Sequence, residues 1–426
     1  MSPPPGPRPA AEGWRSAVPW GSAVWEHQSL AALFRRLATG FEDGGARAGV
    51  LRLAEPVRIG VSGPGADAYR GFAAAYATLL ARETGIDIAQ APQGSSGNLS
   101  VQLVVAESAR LPPGARCLHL PRRIAWRDYR GAAARFQAEA RETAGTVEAA
   151  TVFIAAGLPP AAIRSCILEE IPQAMGLGND VPLLGPTIFN DDGAHLWPTG
   201  LDLLMLRLLY APEIVPGMAP VEAEKAAGRA LRRQTPGSVA GPTLPLPPRG
   251  TSLRFARALA AADKLSGRPS GRSTNEEIRA VLGNLRTAAP ASGPGAAQAR
   301  CTIGLLTHRL AGSGGTAADR LALTASDCRA AEATSWPGPV PSRRPPGPRT
   351  LRLAIAEAEA LLAAGRPADA LTLLDRTAPG LAALGNDAGL AQLHRLRSAA
   401  LSDMGRNAAP ARALADAWAR YALGGD

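Results

Sequence analysis

Glu169–Asp180 (EEIPQAMGLGND) holds the densest set of side chains able to do chemistry in this chain of 426 residues. A helix through it sets Glu169 and Gln173 one turn apart on a shared face, with Glu170 beside them. Gly176 then turns the chain, and Asn179 and Asp180 return from the far side. Such a layout serves metal-assisted hydrolysis. Two donors sit at i and i+4, a third follows a turn, and a neighbouring carboxylate takes a proton from metal-bound water. In an active enzyme Glu170 is that general base.

The donor set does not suit zinc. Zinc takes imidazole nitrogen or thiolate with at most one or two carboxylates. Glu169, Gln173 and Asn179 offer one carboxylate and two neutral amides. Calcium, magnesium and manganese accept oxygen donors, but they gather more carboxylates or waters. Pro172 lies between the two helical donors. Inside a helix it removes a backbone N–H, costs on the order of 3 kcal/mol and bends the axis, spoiling the i, i+4 alignment. No metal and no cofactor is therefore expected, and the enzyme reading leans negative. Glu169, Glu170, Gln173, Asn179 and Asp180 are read as lining a cleft that binds an extended peptide along an edge strand without cutting it. The equally weighted reading is that Glu170 and Gln173 only cap or cross-link neighbouring strands. Adjacent buried carboxylates repel, which raises the pKa of at least one.

Other candidates are weaker. His195, in the loop Asp191–Trp197, is a single surface histidine and cannot replace three. His119 falls on a predicted strand and reads as half-buried. Asp191-Asp192-Gly193 lacks calcium-loop spacing, and Ser62-Gly63-Pro64-Gly65 lacks a phosphate-loop signature. No Ser-His-Asp ordering stands out.

The elements that must position the motif follow from periodicity. Alternation predicts strands over Glu55–Gly63, Asn98–Val105, Arg116–Leu120 and Thr146–Ala155. Helices are predicted over Ser29–Thr39, Ala66–Glu83, Pro160–Met175, Gly200–Tyr210 and Ala219–Gln234. Pro160 suits the first turn of its helix and Gly176 its stop. Residues 1–24 are Pro- and Gly-rich and read as disordered, and residues 235–250 and 335–349 read as linkers. Between the linkers, residues 251–334 read as helical, with helices at 252–267, 273–288, 297–312 and 316–333.

Residues 350–426 read as further helical hairpins. Gly365 marks a turn in Ala358–Pro379, Ala370 follows five residues later, and Leu396–Trp418 repeats the idea around Gly405. Pro410 stands where the second copy needs a small alanine. This resembles a tetratricopeptide hairpin, and an Ala-rich bundle is the alternative. Either suits protein contact.

Composition is globular, with 46% hydrophobic and 19% charged residues and a net charge of +10. Only Lys225 and Lys264 are lysines. The arginines are scattered, so the charge reads as compositional bias rather than a nucleic-acid surface. Cys117, Cys166, Cys301 and Cys328 form no C-x-x-C pair. A strand cysteine at 117 and a motif-helix cysteine at 166 can meet across the core, as can 301 and 328 on consecutive helices. Two disulfides and four buried thiols both stay open. No apolar run is long enough to span a bilayer, and the N-terminus has no signal-peptide pattern. Oligomeric state is not indicated.

The motif resembles the metzincin zinc-protease pattern H-E-x-x-H-x-x-G-x-x-H. Glu169, Gln173 and Asn179 stand at the histidine positions, Glu170 at the base and Gly176 at the glycine. Pro186–Asp191 resembles the tight turn that follows in that pattern. Thr199-Gly200-Leu201-Asp202, Leu206, Leu209 and Tyr210 resemble the helix after it. As far as about Gln234 the chain resembles the proteobacterial domain-of-unknown-function family 2927. The residues that carry this are Val57-Arg58-Ile59, Asn98–Val101, Cys166, the motif itself, Ile188–Asp192, Leu209-Tyr210 and Pro216-Gly217-Met218. The resemblance implies an α+β, metzincin-like mixed sheet with an active-site-type helix over residues 25–234; the all-α, helical-repeat-like domain that follows lies outside it and is read from the residues alone. It also implies a periplasmic or envelope-associated protein. The N-terminus as written lacks the signal peptide this implies, which leaves two readings open: a start site other than the one written, or a protein that stays in the cytoplasm.

Overall fold

Short apolar strands, buried along most of their length, build the centre of the sheet region. The computed structural model describes residues 25–41, 45–104, 111, 116–158, 160–181, 187–190, 198–234, 274–290, 294–311, 348–383 and 387–423, with parts of 255–265 and 321–328. The chain begins with α1 (His27–Thr39) and enters β1 (Leu51–Leu53) and β2 (Val57–Ser62). Next come α2 (Asp67–Thr84), β3 (Ile88–Gln90), β4 (Leu99–Val104) and β5 (Cys117–Leu120). Two short helices, α3 (Trp126–Gly131) and α4 (Ala133–Glu142), precede β6 (Gly145–Val147) and β7 (Ala150–Ala155). The motif helix α5 (Pro160–Met175), α6 (Gly200–Leu209) and α7 (Pro220–Gln234) close the region.

Five strands form one sheet in the order β3-β2-β4-β7-β5. The first four are parallel, and β5 lies antiparallel on the edge against β7. A second, two-stranded parallel sheet joins β1 to β6. Val152 and Ile154 face the main core with Val101, Ile59 and the apolar side of α5. Phe153, on the opposite face of β7, packs with Tyr129 and Phe136 from α3 and α4. Both faces of β7 are thus covered, which is why its sequence is apolar at every position but Thr151.

Three local differences from periodicity have physical causes. Thr146–Ala155 divides into β6 and β7, because β6 pairs with β1 and β7 with β4. β1 and β3 are three residues each, too short to show alternation. The helices α3 and α4 bury only Tyr129 and Phe136, so they carry no apolar stripe to read.

Beyond α7 the described residues are largely helical. The helices are α8 (Asn275–Ala288), α9 (Pro294–Ala311), α10 (Pro348–Ala363), α11 (Pro367–Ala383), α12 (Asp387–Asp403) and α13 (Ala409–Leu423). α9 starts at Pro294 rather than 297, a proline being well suited to a first turn. α10 and α12 end alike. Gly365 and Gly405 take left-handed φ of 70° and 66°. Each glycine N–H bonds back to the third preceding carbonyl, Leu362 or Ser402, and the next N–H reaches Leu361 or Leu401. These matched stops lie 40 residues apart (405 − 365), longer than the tetratricopeptide period of about 34. Ala370 is fully buried after the first stop, whereas Pro410 is exposed after the second. The structure does not positively show a repeat solenoid.

The predicted disordered segment 1–24, the linker 235–250 and most of the linker 335–349 lie outside the described residues, as do Asp191-Asp192-Gly193 and His195. Among the described residues no helix is long and apolar enough to cross a membrane.

Candidate functional site

The motif helix α5 is held to the edge strand β5 by two rungs. Cys117 and His119 are two residues apart on β5 and so share a face, while Cys166 and Glu170 are one turn apart on α5. The two spacings match at about 6–7 Å, since a strand rises ~3.3 Å and a helix 1.5 Å per residue. Cys117 and Cys166 form a disulfide. His119 Nδ1 lies 2.9 Å from Glu170 Oε2, with Glu170 buried and His119 half-buried. The histidine read as a bystander therefore faces the residue read as general base.

The other motif residues are engaged within the protein. Gln173 Nε2 donates to Asp180 Oδ1 at 2.9 Å, and both side chains are buried. Asn179 Nδ2 donates to the Arg36 carbonyl at 2.9 Å, tying the turn after α5 to the last turn of α1. Gly40 closes α1 there, because a Cβ on it would lie 2.8 Å from Asn179 Nδ2. Glu169 is buried on the same helix and also has an interaction of its own. The five predicted cleft residues thus fall within one short stretch, but as buried groups rather than an open lining.

Pro172 stands inside α5, which continues to Met175. Its missing N–H would leave the Leu168 carbonyl unanswered. The fully buried Tyr76 hydroxyl on α2 donates to that carbonyl at 3.0 Å. This supplies the hydrogen bond whose loss would otherwise cost about 1–3 kcal/mol. Burial pushes the Tyr76 hydroxyl well above its ordinary pKa, with the Asp202 charge adding to the effect. Gly176 ends the helix with φ at 137°, where a Cβ would run into the Leu51 carbonyl of β1.

The segment beyond the motif is fastened by one carboxylate. Thr199 caps α6 through a capping box with Asp202. Asp202 Oδ2 accepts from the Thr199 N–H at 2.6 Å, its hydroxyl at 2.9 Å and the Ile188 N–H at 3.3 Å, while the Thr187 hydroxyl bonds Oδ1. Burial raises the Asp202 pKa to about 6 against these four stabilising bonds. Similar pins hold other motif residues. Tyr210 donates to the Leu53 carbonyl at 2.9 Å, and Gly217 N–H to the Val50 carbonyl at 2.7 Å. Asn98 Oδ1 accepts from the Arg58 N–H at 2.6 Å. Ser62–Gly65 is a strand-to-helix turn, with Gly63 and Gly65 at positive φ.

Sequence reasoning passed over Arg47. A bridge between Gly40 and Ala46 and the bond from Arg47 N–H to the Thr39 carbonyl, 2.7 Å, fold this arginine back over the turn after α5. A Cβ built on Gly178 would find Arg47 Nη2 at 3.0 Å, His119 Nε2 at 3.1 Å and Arg47 Nη1 at 3.2 Å. The signal for His119 was present in the paired spacings 117/119 and 166/170. For Arg47, in the stretch Gly45-Ala-Arg-Ala-Gly49, no sequence signal exists.

Among the described residues, no three His, Cys, Asp or Glu side chains gather so as to hold a metal ion. The groups that meet are one carboxylate, one imidazole and one guanidinium. They can relay or hold a proton and can pair with an anion.

Residues 27–228 match the DUF2927 family, described as a protein of unknown function. No curated protein and no solved structure matches the chain. The DUF2927 match spans both sheets and the motif helix and ends inside α7. Arg47, His119 and Glu170 all lie within it, and the helices from α8 onward lie outside it.

Proposed function

We propose that the DUF2927 region is a non-catalytic, metzincin-like domain that binds protein or peptide, and that the helical C-terminal region is a second interaction module. The carrying observation is the fate of the three would-be ligand positions. Gln173 is turned to Asp180 and Asn179 to the Arg36 carbonyl, so their amides fasten the turn after α5 to its surroundings. Glu169 is the one carboxylate among these three positions, and two neutral amide oxygens beside it make a poor ion site. Strand, helix and further strands ahead of a helix that carries the motif support the metzincin-like part of the reading. The matched helix stops at Gly365 and Gly405 support a hairpin array suited to protein contact. Two disulfides support residence in an oxidising compartment such as a bacterial envelope. The scattered arginines argue against nucleic acid.

A second reading has one observation in its favour. The 2.9 Å contact between His119 Nδ1 and Glu170 Oε2 is the kind of orienting pair that hydrolases use to hold a base. Metal content and peptidase activity of the purified full chain, measured for wild type and Glu170→Gln, separate the two. Substoichiometric metal and no cleavage by either protein are expected. Cleavage by wild type that Glu170→Gln abolishes would replace the binding reading with the hydrolase one.

A further inference from the structure

From Ser165 to Met175 the motif helix α5 is buried at every position. Ile163, Ile167, Ile171 and Ala174 face the core of the sheet region, and Cys166 and Glu170 face β5. Arg164 reaches the ring of Phe72 on α2, 5.6 Å away. What remains is a stripe of Ala162, Ser165, Glu169 and Pro172, spaced 3, 4 and 3 residues apart on the side away from Ile167. Serine and glutamate on such a stripe ordinarily face water. Here Ser165 and Glu169 keep only 7% and 9% of their surface exposed, and Pro172 is buried.

The cover comes from the helical region. Besides the strands and α2, the element that packs on α5 among the described residues is α13, whose Cα atoms come within 8 Å of its own. The burial of α13 shows a second neighbour too. Ala411, Ala415 and Trp418 share one side by helical spacing, and Trp418 packs there against the cluster of α10 to α12. Arg412, Ala413 and Asp416 are exposed, as a single neighbour would leave them. Farther along, Ala417, Trp418 and Ala419 are all partly buried. Three consecutive residues of a helix span about 200°, more than one packed neighbour covers. Ala162, Ser165, Ala417 and Ala419 are small, which lets two helices approach closely.

We propose that α13 is a built-in occupant of the outer face of the motif helix, an autoinhibitory contact that keeps this face closed to a partner helix. The inference rests on the protein-binding reading above and names what regulates it. The face lies within the residues that match DUF2927 and its occupant outside them, so the contact couples the two regions. A partner entering here must present small side chains along a helix, as α13 does.

Ser165→Arg lays a long charged side chain on the covered stripe. In solution scattering of the full chain it is expected to raise the radius of gyration, as the helical region swings off α5. Amide exchange of β7 should stay as in wild type. Asp416→Arg, on the open side of α13, should change neither quantity. An unchanged radius for Ser165→Arg, or an equal rise for Asp416→Arg, would overturn the contact. Faster exchange of β7 in Ser165→Arg would place Ser165 in the core of the sheet region and overturn it as well. A labelled synthetic peptide of residues 409–423 then probes the face itself. Trp418→Ala, which loosens the chain's own α13, is expected to bind this peptide at least ~10-fold more tightly than wild type, because the open form becomes populated. Adding Ser165→Arg should remove the gain. Equal binding by wild type and Trp418→Ala, or a gain that survives Ser165→Arg, would sink the proposal. Cleavage of the peptide would instead sink the non-catalytic reading and leave the cover standing.

Discussion

The sheet region and the helical region treat charge in opposite ways. Among the described residues, the buried Arg, Asp and Glu side chains are Arg47, Glu83, Glu169, Glu170, Asp180 and Asp202, all before α7 ends. The helical region buries none of these types and places its histidines and hydroxyls among Ala and Leu. The two disulfides show the same contrast. Cys117–Cys166 joins a strand to a helix beside a polar rung, whereas Cys301–Cys328 is packed among Ala297, Leu305, Leu321 and Leu353. Irregular connections between strands and helices leave backbone groups that need side-chain partners. Consecutive helices close their own ends with a glycine turn and need few.

The strongest way to break this comparison is at Asp202. Asp202→Ala strands two hydroxyls and two N–H groups inside the core, and unfolding of the sheet region should become easier by roughly 3–5 kcal/mol. Its titration sharpens the point. The folded pKa is raised from 3.8 to about 6, so the protonated form is favoured by folding. That contribution is complete below about 3.8 and lost as pH rises through about 6, amounting to about 3 kcal/mol. Denaturant titrations between pH 3.5 and about 7 should show the slope in wild type and its absence in Asp202→Asn. An identical slope in both would remove Asp202 as the source.

Next in size are the two bridges. They close loops with sequence separations of 49 and 27, so removing either by paired Cys→Ser changes should cost roughly 3–4 kcal/mol in the chain-entropy account. The regional contrast predicts a difference in what else moves. Loss of Cys117–Cys166 should shift the His119 ring signal, because the neighbouring rung loosens, and loss of Cys301–Cys328 should leave it in place. Equal effects on His119 would show that the rungs are not a unit.

The smallest effect tests the likeness within the helical region. Gly365 and Gly405 both have positive φ with open space where a Cβ would go. Gly365→Ala and Gly405→Ala should each cost about 1 kcal/mol by thermal unfolding, from backbone conformation alone. Unequal costs would separate the two hairpins.

Much of the frame was legible residue by residue. Pro160 and Gly176 bracketed the motif helix, and Gly365 and Gly405 marked turns between helices. Each is a local signal carried by one or a few neighbouring residues. The site was legible only as a location. Pro172 suggested a damaged helix, yet α5 runs through it because Tyr76, far away in sequence, answers the Leu168 carbonyl. Asn179 and Gln173 read as failed ligands and act as ties to Arg36 and Asp180.

What the amino-acid order determined alone is therefore the longer strands and helices, several of the stops between them, and the lack of nitrogen ligands in the motif. Those properties depend on side-chain type and on neighbours a few residues apart. Only the tertiary structure brought Arg47, His119 and Glu170 together. Their convergence depends on an edge strand turned antiparallel and on a tight bridge after α1, neither of which leaves a local periodic trace.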